Sequence, residues 1–129
     1  MSGKPARTTI LRWIPALLWM AGIFWLSSRE ALPAPPGMSH DIGAVAGHFL
    51  AYFVLALLLL WAFDSLDLSR GRTLLLAGTV AALYGLSDEF HQSFVPGRDA
   101  SIEDVLVDLA GISCALALWS IRWRRVEAS

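Results

Sequence analysis

Charge is scarce in this chain. Only 16% of its 129 residues are Asp, Glu, Lys or Arg, against about 25% in an ordinary soluble domain. That shortfall excludes a disordered chain. A net charge of -1 gives no bulk attraction to nucleic acid or to an anionic surface, so no nucleic-acid partner is expected. Cysteine is scarcer still. Cys114 is the single one, which excludes a disulfide framework within one chain, and no Cys/His spacing suits a structural zinc site.

What the chain has is apolar sequence. It is 56% hydrophobic, with a mean hydropathy of +0.56. The apolar residues fall in four blocks, and a spanning helix needs about 20 residues. Four such helices take about 80 residues, most of the chain. The expectation is an all-α polytopic membrane protein of one domain over residues 1–129, a four-helix transmembrane bundle with spans near 10–26, 43–63, 74–91 and 102–121.

The first block, Ile10 to Leu26, is interrupted only by Arg12, which can snorkel to the interface. Pro15 is expected in its first turns, where proline is best tolerated. Lys4, Arg7 and Arg12 ahead of an apolar core also resemble a signal peptide. Cleavage after Ala34 or Ala31 would put Leu32 or Arg29 at the -3 position, and neither is small. The second block, Gly43 to Phe63, is apolar except for His48 and Tyr52. Gly43 and Gly47 form a GxxxG, which permits close helix packing. The third, Leu74 to Leu86, is short and runs into Ser87-Asp88-Glu89-Phe90-His91-Gln92. The fourth, Ile102 to Ile121, carries Glu103, Asp104 and Asp108 in its first two turns. Prolines between Ala31 and Gly37, the short polar loop Asp64 to Arg72 and Val95-Pro96-Gly97 mark the connections.

Alternating helices put Lys4, Arg7, Arg12, Arg70, Arg72, Arg122, Arg124 and Arg125 on one side and only Arg29 and Arg98 on the other. Basic loops favour the cytoplasm. Both termini are therefore expected there. Eight acids, Glu30, Asp41, Asp88, Glu89, Asp99, Glu103, Asp104 and Asp108, lie toward the opposite side.

A rise of about 1.5 Å per residue places His48 roughly 7 Å inside the outer end of its span and Asp108 roughly 9 Å inside. Tyr52 shares a face with His48, and Asp104 with Asp108. Tyr84, Asp88, His91 and Gln92 form a third polar stripe. An ionised group facing lipid costs about 2.5 to 3.5 kcal/mol at the membrane centre, so these groups are expected to converge. The set suits a carboxylate-histidine acid/base pair. It also holds donor types for hard or borderline metal ions, but no motif such as HExxH occurs, so neither a metal nor another cofactor is expected. Glu103, Asp104 and Glu89 taken alone are equally compatible with inert residence among headgroups. Arg98, in the Pro96-Gly97-Arg98 turn, suits either an internal ion pair with the acids or capture of a phosphate or carboxylate.

These residues carry a family resemblance. Gly47-His48-Phe49 with Tyr52, Asp88-Glu89-Phe90-His91-Gln92, Phe94-Val95-Pro96-Gly97-Arg98 and Asp104-Val105-Leu106-Val107-Asp108-Leu109-Ala110-Gly111, in that order, resemble the VanZ-like family of small bacterial membrane proteins. Ser27-Ser28 after the first span also fits, and the resemblance runs from Ile10 to Ser120. The sequence departs from the pattern at Asp108, where the family more often has Asn. The resemblance implies kinship with proteins of teicoplanin-type glycopeptide resistance in the cell envelope, but no reaction.

Three functions are open. In the first, a site at the outer membrane-water boundary binds or modifies a lipid-linked envelope precursor or a lipid headgroup. His48 or His91 would be the acid/base, Asp88, Asp104 and Asp108 would orient it or hold a cation, and Tyr52, Glu89, Gln92 and Arg98 would meet the substrate. In the second, the polar cluster only fixes helix packing in a non-catalytic membrane interaction protein. The third, a proton or ion path, needs polar residues through the whole thickness, and Leu57 to Trp61 and Ala115 to Trp119 are apolar. A homodimer is open to so small a bundle.

Overall fold

A computed structural model describes residues 6–30, 36–37 and 39–127. Lys4, the cleavage-site residues Ala31, Leu32 and Ala34, and Pro33 and Pro35 lie outside them, as do the side chains of Arg7, Arg124 and Arg125. The described residues form four helices: α1 (Ala6–Ser27), α2 (His40–Asp64), α3 (Arg70–Gln92) and α4 (Ile102–Glu127). Three of the four, over residues 8–27, 41–64 and 102–123, are long and apolar enough to cross a membrane. With 23 residues, α3 spans about 34 Å by helix geometry. Its apolar middle is diluted by Arg70 and Arg72 at the start and by Asp88, Glu89 and His91 at the end.

The helices extend beyond the apolar blocks because local chemistry, not hydropathy, ends them. Ser39 caps α2, its side chain accepting from the Ile42 N–H at 3.4 Å. At α4 the Ser101 hydroxyl accepts from the Asp104 N–H at 3.1 Å, the usual service of an N-cap serine. Because α1 begins at Ala6, Pro15 lies inside the helix and not in its first turns. It forfeits one backbone hydrogen bond there, a loss that apolar spanning helices tolerate.

The order is up-down-up-down. Arg12 near the start of α1 pairs with Asp64 at the end of α2 at 3.1 Å. Arg70 at the start of α3 donates to the Ser120 carbonyl near the end of α4 at 3.1 Å. At the other end, Ser27 of α1 meets Asp88 of α3, and His48 of α2 meets Asp108 of α4. All four helices therefore run between the same two ends. Helix α2 is the centre, packed against α1, α3 and α4, while α1 and α4 make no packing contact among the described residues. The core is built from Leu55, Ala56, Leu59 and Leu60 of α2 with Ala77 and Ala81 of α3 and Ile112 and Ala115 of α4. Outward, α1 exposes Ile10, Leu11, Leu17, Leu18, Phe24 and Trp25. An apolar surface of this kind is what a lipid-facing helix presents.

The close helix approach is at Gly111, not at the GxxxG. A Cβ on Gly111 would lie 2.4 Å from the Phe49 carbonyl oxygen and 3.1 Å from the Phe53 nitrogen. The backbones of α2 and α4 are in contact there, and only glycine fits. Gly47 has nothing within 4 Å of such a Cβ, because its face of α2 has no neighbour among the described residues.

Candidate functional site

The α2–α4 contact at Gly111 sits one turn from Asp108, which brings Asp108 against His48. His48 Nδ1 and Asp108 Oδ1 are 3.0 Å apart, the imidazole N–H donating to the carboxylate. Asp108 is essentially buried, at 1% exposure. Around the same imidazole lie two further carboxylates. Glu89 Oε1 is 3.9 Å from Nδ1 and Asp104 Oδ2 is 4.0 Å from Nε2. The four residues come from α2, α3 and α4.

Local backbone chemistry explains why Asp104 is available. In the usual capping box, the acid three residues after the cap reaches back to the cap N–H. Here Glu89 of α3 takes that place, its Oε2 accepting from the Ser101 N–H at 3.1 Å. Asp104 then faces His48. Glu89 keeps its other oxygen, Oε1, buried and without a hydrogen-bond partner among the described residues, and Asp108 Oδ2 is in the same condition.

Tyr52 closes the inner side of the site. It is buried beside Asp108: a Cβ on Gly85 would meet Asp108 Oδ2 and Tyr52 Cε1, each at 3.3 Å. Glycine at 85 lets the carboxylate and the phenol ring close onto α3.

The rest of the expected constellation is divided from this cluster. Asp88 is buried and turned to α1, where the Ser27 hydroxyl donates to Oδ1, and Gln92 Nε2 donates to Oδ2 at 3.1 Å. His91 is half-buried against α1. Its Nε2 lies 2.9 Å from Ser28 Oγ and its ring stacks on Phe24 at 4.6 Å between centroids. Tyr84 also turns to α1, donating to the Met20 carbonyl at 2.5 Å. The end of α3 thus has two faces. Glu89 looks toward α2 and α4, while Tyr84, Asp88 and His91 look toward α1. Arg98 makes no ion pair with the acids among the described residues. Its Nε donates to the Arg29 carbonyl at 2.9 Å and its Nη2 to the Leu26 carbonyl at 3.1 Å. A cation on the last carbonyls of a helix is favourable in charge and in hydrogen bonding.

With this geometry the similarities to known proteins can be placed. A family model described as VanZ/LLP1 matches residues 6–123. The chain belongs to the VanZ/LLP1 family. An uncharacterised protein of Schizosaccharomyces pombe is 37% identical over 95 residues, which make up 73% of this chain and 53% of that protein. The chain therefore spans about half the length of that relative. No solved structure matches. Similarity to this VanZ/LLP1 chain thus reaches a fungus, so the family resemblance does not by itself name a bacterial membrane. Family membership and three apolar helices are consistent with a membrane protein.

Within the VanZ/LLP1 chain, three contributors to the site carried little signal in sequence. Ser27 was visible only as part of a serine pair, yet it holds Asp88. Ser101 was unmarked, although Ser-x-x-Asp before an apolar run is a capping signature that points to it. Gly85 lay inside an apolar run, and its role depends on what α2 and α4 bring to it. The Asp108 carboxylate accepts a hydrogen bond that an Asn oxygen also accepts.

Proposed function

We propose that this is a membrane protein of four spans whose His48 cluster binds, and as an acid/base site modifies, a lipid-linked envelope precursor or a phospholipid headgroup. The reading puts both termini on the cytoplasmic side of a bacterial cytoplasmic membrane and the cluster at the outer leaflet. It rests on the basic-residue asymmetry for orientation. For α3 as the fourth span, it rests on the helix running between the same ends as its neighbours.

The observation that carries the proposal is the buried His48–Asp108 pair with Glu89 and Asp104 around it. A histidine oriented by a buried carboxylate on Nδ1 has Nε2 left to exchange a proton with a bound group. Packing alone needs one partner for one histidine. Three carboxylates about a single imidazole, two of them with a buried oxygen unsatisfied among the described residues, exceed that need. Arg98 adds a cation at the same end of the bundle, its Nη2 committed to the Leu26 carbonyl of α1 and its Nε to the Arg29 carbonyl just beyond it. By kinship with glycopeptide-resistance proteins, the function belongs to the envelope.

A packing role is favoured for one part of the constellation. Ser27, Asp88 and Gln92 satisfy one another, as a buried network that fixes helix positions does. The second reading, a non-catalytic interaction protein, extends that role to the whole cluster.

Native mass spectrometry of the detergent-purified protein with phosphatidylglycerol, and separately with a polyprenyl phosphate, tests the proposal. One of the two is expected to bind at one molecule per chain, and His48→Gln is expected to weaken that binding at least tenfold at unchanged melting temperature. Equal binding by the wild type and His48→Gln, or loss only in step with unfolding, supports the packing reading.

A further inference from the structure

The geometry points to a divalent-cation site formed by His48 Nε2, Glu89 and Asp104, with Asp108 as the residue that orients the imidazole. The inference rests on reading this cluster as a working site and adds what that site holds. It does not require a lipid to be the substrate.

Donor geometry comes first. One ligand atom from each of His48, Glu89 and Asp104 lies within 4.8 Å of the others. Zinc-type bonds of about 2.0 to 2.2 Å put two donors on a common ion about 3 to 4 Å apart. Closing the set takes a side-chain rotation that carries Glu89 Oε1, now 3.9 Å from Nδ1, toward the Nε2 side of the ring, where Asp104 Oδ2 already lies at 4.0 Å. The three donors sit on three different helices, all near one end of the bundle, so helix packing already holds them in place.

The surroundings agree with a metal. Metal-bound histidines pass their other ring N–H to a carboxylate, which fixes the tautomer and aims the ligand nitrogen. Asp108 does this at Nδ1, 3.0 Å away, and leaves Nε2 toward Asp104. Glu89 supplies an independent sign. Only 6% of it is exposed, and Oε1 points into the cluster without a hydrogen-bond partner among the described residues. A buried carboxylate oxygen left unsatisfied costs about 1 to 3 kcal/mol or more. A cation removes that cost.

Charge gives the third argument. Glu89, Asp104 and Asp108 surround one imidazole, and no Lys or Arg pairs with any of them among the described residues. Such a cluster meets a phosphate more readily with a cation between them. A divalent ion reverses the local charge, and three protein ligands leave coordination positions for a phosphate oxygen or a water, as in catalytic metal sites. One imidazole with two carboxylates suits a borderline ion such as Zn²⁺ or Mn²⁺ over Mg²⁺, which prefers oxygen and keeps its waters. Asp104, the most exposed of the three donors with 23% of its side chain accessible, marks the open side.

The test uses the full chain with Cys114→Ser, purified in detergent, stripped with a chelator and titrated with Zn²⁺ alone by calorimetry, no lipid added. Mn²⁺ and Mg²⁺ are run in parallel. One Zn²⁺ per chain is expected, with a rise in melting temperature and with Mg²⁺ binding at least tenfold weaker. Asp104→Asn and Glu89→Gln should each weaken Zn²⁺ binding at least tenfold, and the exposed Glu103→Gln should leave it unchanged. If Glu89→Gln fails to fold, Asp104→Asn decides, since its side chain is partly in solvent. Absence of saturable Zn²⁺ binding in the parent protein overturns the proposal, as does equal affinity in Asp104→Asn and the parent. Zinc binding lost in these variants stands even if neither lipid binds. Lipid binding that persists in a protein that takes no metal keeps the proposed function and removes this inference.

Discussion

The two ends of the bundle solve the same problem differently. At the end holding the start of α1 and the end of α2, two arginines are spent on structure. Arg12 pairs with Asp64 and lies over Trp61, and Arg70 donates to Ser120. At the other end, Arg98 is spent on helix carbonyls and Arg29 lies over Trp25. The carboxylates there are left to His48. The first end also has a cleft of about 250 Å³, lined by Asp64, Trp119, Arg122 and Trp123. A charge that has a structural partner holds helices together. Carboxylates gathered without a Lys or Arg partner among the described residues ask for a ligand.

The sharpest way to break this comparison is orientation, where the effect is all or none. Cysteine placed at Ser93, in the Cys114→Ser background, should react with a membrane-impermeant maleimide in intact cells, and cysteine at Ser69 should not. Both positions are exposed. The reverse pattern would put the His48 end inside the cell and remove an outer-leaflet substrate.

Packing comes next in size. Gly111→Ala drives a methyl into the Phe49 carbonyl, and neither backbone can yield cheaply. A loss of about 3 kcal/mol in unfolding from detergent is expected, the upper range for overpacking. Gly47→Ala, with open space about it, should be neutral or gain about 0.5 kcal/mol from helix propensity. If the two behave alike, α2 and α4 do not touch at Gly111.

A smaller effect separates partnering from charge at the site. Asp108→Ala leaves the His48 N–H unpaired in a buried place and should cost about 1.5 kcal/mol, the upper range for hydrogen bonds between membrane helices. Asp108→Asn keeps an acceptor and should cost less than half of that, measured by the same unfolding. Smallest is Arg12→Ala, at about 0.5 kcal/mol, because the pair with Asp64 is more than a quarter exposed on both sides and is screened. A larger loss there than in Asp108→Ala would erase the contrast between the ends.

Much of this was legible along the chain. The four apolar blocks located four helices, and matched depth paired His48 with Asp108 across 60 residues, as the structure does. Helix ends were legible to within a turn except at the starts of α1 and α3 and the end of α4, where helices outrun their apolar stretch. The division of α3 into two faces was not legible. Tyr84, Asp88 and His91 share a stripe on a helical wheel, and Glu89 lies about 100° away from Asp88 by helix geometry. Which of the two faces meets α2 and α4 depends on how α3 is rotated. That rotation is set by Gly85 fitting under Tyr52 and by Ser27 reaching Asp88, contacts far apart in sequence. For the same reason His91 was grouped with His48 although its partners are Ser28 and Phe24. Gly47 of the GxxxG meets no neighbour among the described residues, since a small residue permits close approach only where a neighbour exists.

The central claim is that the His48 end works while the Arg12 end only holds. The direct measurement is complementation of a deletion strain with His48→Gln and with Arg12→Ala at equal membrane abundance, read as membrane lipid composition and teicoplanin susceptibility. The account predicts that Arg12→Ala restores the parental phenotype and that His48→Gln, folded and present at the parental level, does not. Full restoration by His48→Gln would contradict it.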